Sequence, residues 1–281
     1  MDIVRVILFG FFLPLLVLVG CTSPSVRPTR PETSREVKVR QLVIEPEKDK
    51  PALEVADPFE EVLDHKYFKI VYDTRTRLAK YVTYELKAEQ LRTAKKAKRR
   101  DKFRPDPLLV QRNLPYVEPS EYTRSGYDKG HLAPAADFAW SQEAQDLTFV
   151  MSNLVPQKPR LNQDAWRRLE AKVRRWACGE EHITVVTGPV LGHDTKKLPK
   201  LKSGLPVPQQ FFKIVIDETP PRKIVAFVYN QTDKGDVIAE RKVEVGALSK
   251  INGVHVPNGL LNRPGLRAPA SLEEWKEKDC R

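Results

Sequence analysis

A chain of 281 residues carrying a formal charge of +11 has length for one sizeable core, and its Lys and Arg excess favours a polyanionic partner. It holds no His-Glu-x-x-His helix, no paired Cys-x-x-Cys and no glycine-rich phosphate loop, so a zinc centre or an ATP site is not implied.

The first twenty residues have a short start with Asp2 and Arg5, an apolar run from Val6 to Val19, and then Leu18-Val19-Gly20-Cys21. The run is shorter than the ~20 residues of a spanning helix. It resembles a bacterial lipoprotein signal peptide (1–20) whose cleavage would leave Cys21 as a lipidated N-terminus. That predicts export and anchorage to the cell envelope, at the outer membrane in a Gram-negative host, since Thr22 and not Asp follows Cys21. The stretch 21–56 is rich in Pro, Ser, Thr and alternating charge with no apolar period, which predicts a flexible tether. Eight basic and seven acidic side chains fall within the first 56 residues, leaving +10 on 57–281, the predicted folded domain.

Within that domain the densest charge runs from Arg92 to Arg104, with Asp101 as its one acid. Such a run is either a solvated loop or a polyanion-binding face. Asp128-Lys129-Gly130-His131 follows, ending in a turn that contains Pro134, and then Ser152-Asn153-Leu154-Val155-Pro156-Gln157. From Gln163 to Ala177, Trp166, Leu169, Val173 and Trp176 recur at intervals of three and four, which predicts an amphipathic helix. At ~100° per residue Asn162 projects onto the apolar stripe and Glu170 onto its flank. By spacing alone Asn162 is equally an N-cap, and Glu170 a salt-bridge partner of Arg167 or Arg174. Beyond the helix, β-rich runs at Ile183 to Thr187, Phe211 to Ile216 and Ile224 to Tyr229 alternate with turns at Pro220-Pro221 and Asp233-Lys234-Gly235. The expected fold is α+β, a central antiparallel sheet flanked by helices. Cys178 and Cys280 could pair in an oxidising compartment, or Cys178 could stay free and buried.

The blocks Asp128 to His131, Ser152 to Gln157 and Leu161 to Glu170, in that order, resemble the DNA/RNA non-specific endonuclease family. The resemblance extends over about Tyr67 to Leu261, including Thr187-Gly188-Pro189 and Val207 to Lys213, and departs from the family's Asp-Arg-Gly-His at Lys129. It implies a ββα-metal motif in which a strand pair presents His131 and the following helix supplies an ion. His131 would be the general base, Asn162 the ligand of Mg²⁺, with Mn²⁺ as an alternative, and Glu170 would act on a water at the ion. An arginine steadying the phosphate is implied among Arg99, Arg100 and Arg104, which precede Asp106-Pro107. Lys129 stands where the family has arginine. The implied partners are DNA and RNA, and a homodimer is an assembly some members adopt. Two other readings are a degenerate relative that only binds nucleic acid, and a basic envelope lipoprotein.

The signal reading makes a separate forecast. Cys21→Ser should abolish lipid labelling and leave either an unprocessed precursor or a released protein; labelling that persists in the variant refutes it.

Overall fold

The computed structural model describes residues 57–93, 96–192, 194–269 and 271–280. The predicted signal peptide, tether and Cys21 lie outside the described residues, as does His193. Nine strands are described: β1 (Glu60–Asp64), β2 (Lys69–Asp73), β3 (Leu78–Lys87), β4 (Asp128–His131), β5 (Leu154–Gln157), β6 (His182–Val190), β7 (Gln210–Asp217), β8 (Lys223–Asn230) and β9 (Lys242–Val243). Seven form an antiparallel sheet in the order β1-β2-β3-β6-β7-β8-β9, and β4 and β5 make a separate two-stranded ribbon. The helices are α1 (Ala88–Leu91), α2 (Pro107–Gln111), α3 (Gln142–Leu147), α4 (Arg167–Glu180) and α5 (Val245–Leu248).

The middle strands are covered on both faces, which is why they read as near-continuous apolar runs. One face of β7 sends Phe211 and Val215 into a core shared with Leu169, Val173 and Trp176 of α4; the other sends Phe212, Ile214 and Ile216 toward Leu248 and Leu260. Trp166 packs on Phe211 and Tyr229, and Trp176 stacks on Phe227 at 6.1 Å. Burying each such side chain contributes on the order of 1.5–3 kcal/mol, and that packing, more than helix propensity, holds α4 in place. The expected flanking by helices is therefore lopsided. The four-residue α5 and irregular chain cover the second face.

The predicted helix is present with a different start. Regular α-helix begins at Arg167, and Leu161–Trp166 forms a wider π-helical turn ahead of it. Asn162 thus lies inside this turn and makes no capping bond, so the N-cap reading is not what the fold uses. A uniform ~100° step from 162 to 170 does not apply either, because π turns close i→i+5 bonds.

At its other end α4 meets the C-terminal segment. A Cβ on Gly179 would run into the carbonyl of Lys276, so only glycine permits this approach. Trp275 packs on Trp176 at 5.0 Å, the Lys276 N–H donates to Glu180, and Cys178 and Cys280 are joined as a disulfide with Cα atoms 5.6 Å apart. The bridge spans 102 residues of sequence. Loss of such a link typically costs about 2–4 kcal/mol. Replacing both cysteines by alanine should lower the melting temperature and remove its sensitivity to reductant; an unchanged melting temperature would mean that Trp275 alone secures the segment.

Candidate active site

The site is assembled on the β4–β5 ribbon and the chain entering α4. In the ribbon, Asp128 is opposite Gln157, Lys129 opposite Pro156, Gly130 opposite Val155 and His131 opposite Leu154. A Cβ on Gly130 would collide with the buried Gln157 amide, so the glycine lets the two strands close here. Asn153 then fixes the chain after His131. Its fully buried amide donates to the carbonyls of Ala133 and Thr148 and accepts from the Ala133 N–H, each at 2.9 Å. Gln231 secures the far end of the ribbon by donating to the carbonyls of Pro156 and Pro208.

His131 sits in an aromatic enclosure. Its ring meets Phe149 edge to face at 5.0 Å and lies 6.3 Å from Phe103. Nε2 is buried without a hydrogen-bond partner, which leaves Nδ1 as the ring nitrogen open to a polar contact. Burial, reinforced by the positive charge of Arg99 and opposed by Asp101, drives the imidazolium form down to a pKa of about 3. The ring is therefore neutral at any physiological pH.

The predicted cations separate once they are placed. Lys129 extends over the rings of Phe103 and Tyr122, at 5.0 and 5.4 Å. Arg99 lies over Phe149, 5.4 Å from the ring centroid, and pairs with Asp101. Arg100 approaches Asp146 at 3.5 Å. Arg104 turns to the Asp146 carbonyl at 2.9 Å while its backbone bridges to Phe149 and Met151. Arg92, at the start of the basic run, is engaged by Glu181. The run is thus neither one loop nor one face. It is fastened beside His131 by the buried Asp106, which caps α2 and binds His65 and Ser152.

Asn162 and the neighbouring Gln163 both donate their side-chain amides to Asp128 Oδ2, at 2.9 and 2.8 Å. With its nitrogen committed, Asn162 offers its carbonyl oxygen, a hard donor of the kind Mg²⁺ accepts. Among the described residues, no three His, Cys, Asp or Glu side chains gather as a metal cage. Glu170, eight residues on, makes no ion pair with Arg167. It belongs to a buried charge group in which Asp137 accepts from Tyr84 and Arg174, each at 2.8 Å, and Lys213 lies over Trp166. Burial, with the nearby Asp137, pushes the Glu170 carboxyl up to about 7 against the pull of Lys213 and Arg174. Burial also lowers the Lys213 ammonium.

Sequence reasoning had no role for Asp128, Phe149, Asp137 or Lys213. Lys213 did carry a signal, as the one charge inside the apolar run Phe211 to Ile216. Phe149 carried none.

A family model for DNA/RNA non-specific endonucleases matches residues 54–263. The chain belongs to the DNA/RNA non-specific endonuclease family. It is 33% identical over 214 residues to human mitochondrial endonuclease G, covering 72% of this chain and 71% of that one. With the nuclease of Serratia marcescens it shares 30% over 197 residues, covering 67% and 71%. The fold matches endonuclease G as solved in a complex with its inhibitor EndoGI, at a TM-score of 0.62 and 27% identity over 69% of this chain and 84% of that one. A DNA/RNA non-specific endonuclease is a phosphodiester hydrolase, and the geometry above is the frame for that chemistry.

The two perturbed groups titrate far apart, which makes the acidic limb of the rate profile assignable. His131 keeps its neutral form down to about pH 3, whereas Glu170 ionises only above about 7. Activity should fall as pH drops through about 7, and Lys213→Met, by removing a cation that favours the Glu170 carboxylate, should move that limb to higher pH. A limb that stays in place in Lys213→Met would assign it to another group.

Proposed function

We propose that the chain is an exported, lipid-anchored endonuclease that hydrolyses DNA and RNA without sequence preference, with His131 as general base and Asn162 as the protein ligand of Mg²⁺. The observation that carries this reading is that His131 ends the strand opened by Asp128, the carboxylate that fixes the Asn162 amide. Nδ1 of His131 takes a proton from the attacking water, whose oxygen forms the new bond to phosphorus while the bond to the 3′ oxygen breaks. The products are a 5′-phosphate and a 3′-hydroxyl. Mg²⁺ held by Asn162 would supply neutralisation of the charge that develops on the phosphate and the leaving oxygen.

Arg99 is the arginine best placed to steady the phosphate, because it lies over Phe149, the ring that packs edge to face on His131. Arg104, an equal candidate by sequence, donates to the Asp146 carbonyl. Arg99 brings a planar fork that pairs two phosphate oxygens, and Lys129 brings a point charge. Glu170 orients the groove from the helix side. No base-reading element is required, since phosphate contacts position a duplex without specifying it.

The test is cleavage of plasmid and RNA by the exported chain with Mg²⁺ and with chelator. Chelation should stop cleavage. His131→Ala should cost about 10²–10⁴-fold in rate with duplex affinity kept. Lys129→Arg should change the rate little and Lys129→Ala should reduce it. Chelator-insensitive cleavage, or a His131→Ala variant as fast as the parent, overturns the reading; a parent that binds without cutting favours the degenerate binding protein.

A further inference from the structure

One turn beyond Glu170, α4 presents Arg174 and Arg175 to a cleft of about 370 Å³ closed on its other sides by Lys96 and by the C-terminal residues Lys278, Asp279 and Cys280. Four cations thus face one carboxylate among its charged walls. The guanidinium groups are held in fixed orientations. Arg174 is braced by Asp137 at 2.8 Å and Arg175 by Glu277 at 3.1 Å. The C-terminal wall is braced as well, since the Lys278 N–H donates to the Arg175 carbonyl and Cys280 is tied to Cys178. Glu181, whose charge reaches Lys278, is already engaged by Arg92.

Two elements lead from the cleft toward the proposed catalytic residues. Arg174 lies about 6 Å along the helix axis from Glu170. Lys96 is three residues before Arg99 on the fastened basic segment. Cations thus lie on both elements that link the cleft to the proposed catalytic residues, and forked guanidinium groups are suited to phosphate oxygens.

We propose that this cleft is a second phosphate-binding subsite, which holds the backbone of the nucleic-acid strand a few nucleotides from the bond being cut. The proposal rests on the nuclease reading of the groove, and it adds a length requirement that the groove alone does not impose. Affinity depends on a phosphate reaching the cleft, so short substrates bind only through the groove.

The test is binding, read by fluorescence anisotropy on the full chain in the uncleaving His131→Ala background. Two duplexes are compared, one confined to the groove and one extended by about one helical turn. Lys278 is exposed and outside the reacting groups, so Lys278→Glu is the informative variant and Lys278→Arg its conservative control. Lys278→Glu should weaken binding of the long duplex several-fold, lower its salt slope by about one, and leave the short duplex unchanged. Lys278→Arg should bind the long duplex as the parent does. Equal affinities of parent and Lys278→Glu for the long duplex, or an equal loss on both lengths, overturns the subsite. Failure of the nuclease reading registers separately, as a His131-intact chain that binds both duplexes and cuts neither.

Discussion

The arrangement depends on the hydrogen bond from the Asn162 amide to Asp128. Asp128 opens the strand that ends in His131, and Asn162 opens the turn that leads into the helix carrying Glu170. That bond ties the first strand of the ribbon to the turn entering the helix, and so fixes His131 and the Asn162 carbonyl relative to one another. Asp128 accepts from Gln163 at the same oxygen. A second bond is anchored from the other side of the turn, where the Asp164 carboxylate accepts from the Gly235 N–H at 2.6 Å. The π-helical widening is the local consequence: residues 162 to 164 are pinned by side chains to two different parts of the molecule before regular helix takes over.

Holding ionisable groups out of water costs stability, and this molecule does it twice near the groove. Around Glu170, the Lys213 and Arg174 cations and the Asp137 carboxylate lie close together, with Arg174 also reaching the cleft, so burial weighs most on Glu170 and Lys213. Removing any one partner leaves the rest uncompensated, which is why the group behaves as a unit. At His131 the solution is different: aromatic walls keep the ring neutral and no partner is offered to its Nε2. A neutral ring is what a base must be before it acts. The enclosure sets that state chiefly by desolvation, with Arg99 adding to it.

Much of the fold and part of the site were legible in the sequence. The runs at 183–187, 211–216 and 224–229 read as strands because their faces are both buried, and the stripe Trp166, Leu169, Val173, Trp176 read as a helix because its spacing is the packed face itself. His131, Asn162 and Glu170 were singled out through motif order, and the fold sets His131 and Asn162 on elements joined through Asp128. The illegible remainder has one physical cause, that long-range contacts leave no local pattern. Nothing in the spacing of Asp106, His65 and Ser152 announces that a buried carboxylate joins them, and nothing near Phe149 announces that it walls the base. The choice among Arg99, Arg100 and Arg104 stays open in the sequence for the same reason. Three arginines within six residues look alike there, although each has a different partner in the fold.

That last point bears on how a basic run becomes a binding surface. An unfastened stretch of lysines and arginines attracts polyanions from any direction, at the entropic cost of ordering each side chain on contact. Here the backbone of 104 is laid against 149–151, Asp106 is sunk into the core, and the Lys98 carbonyl accepts from Gln142 at 3.0 Å. Charges fixed in this way cannot follow a polyanion, so the polyanion must adopt their geometry. A duplex backbone is the same whatever its bases, and a rigid row of cations matched to it selects for helical form and length without reading sequence. On the proposed mechanism, lack of sequence preference would follow from where the cations are anchored, because contacts to phosphate position a strand without reading its bases.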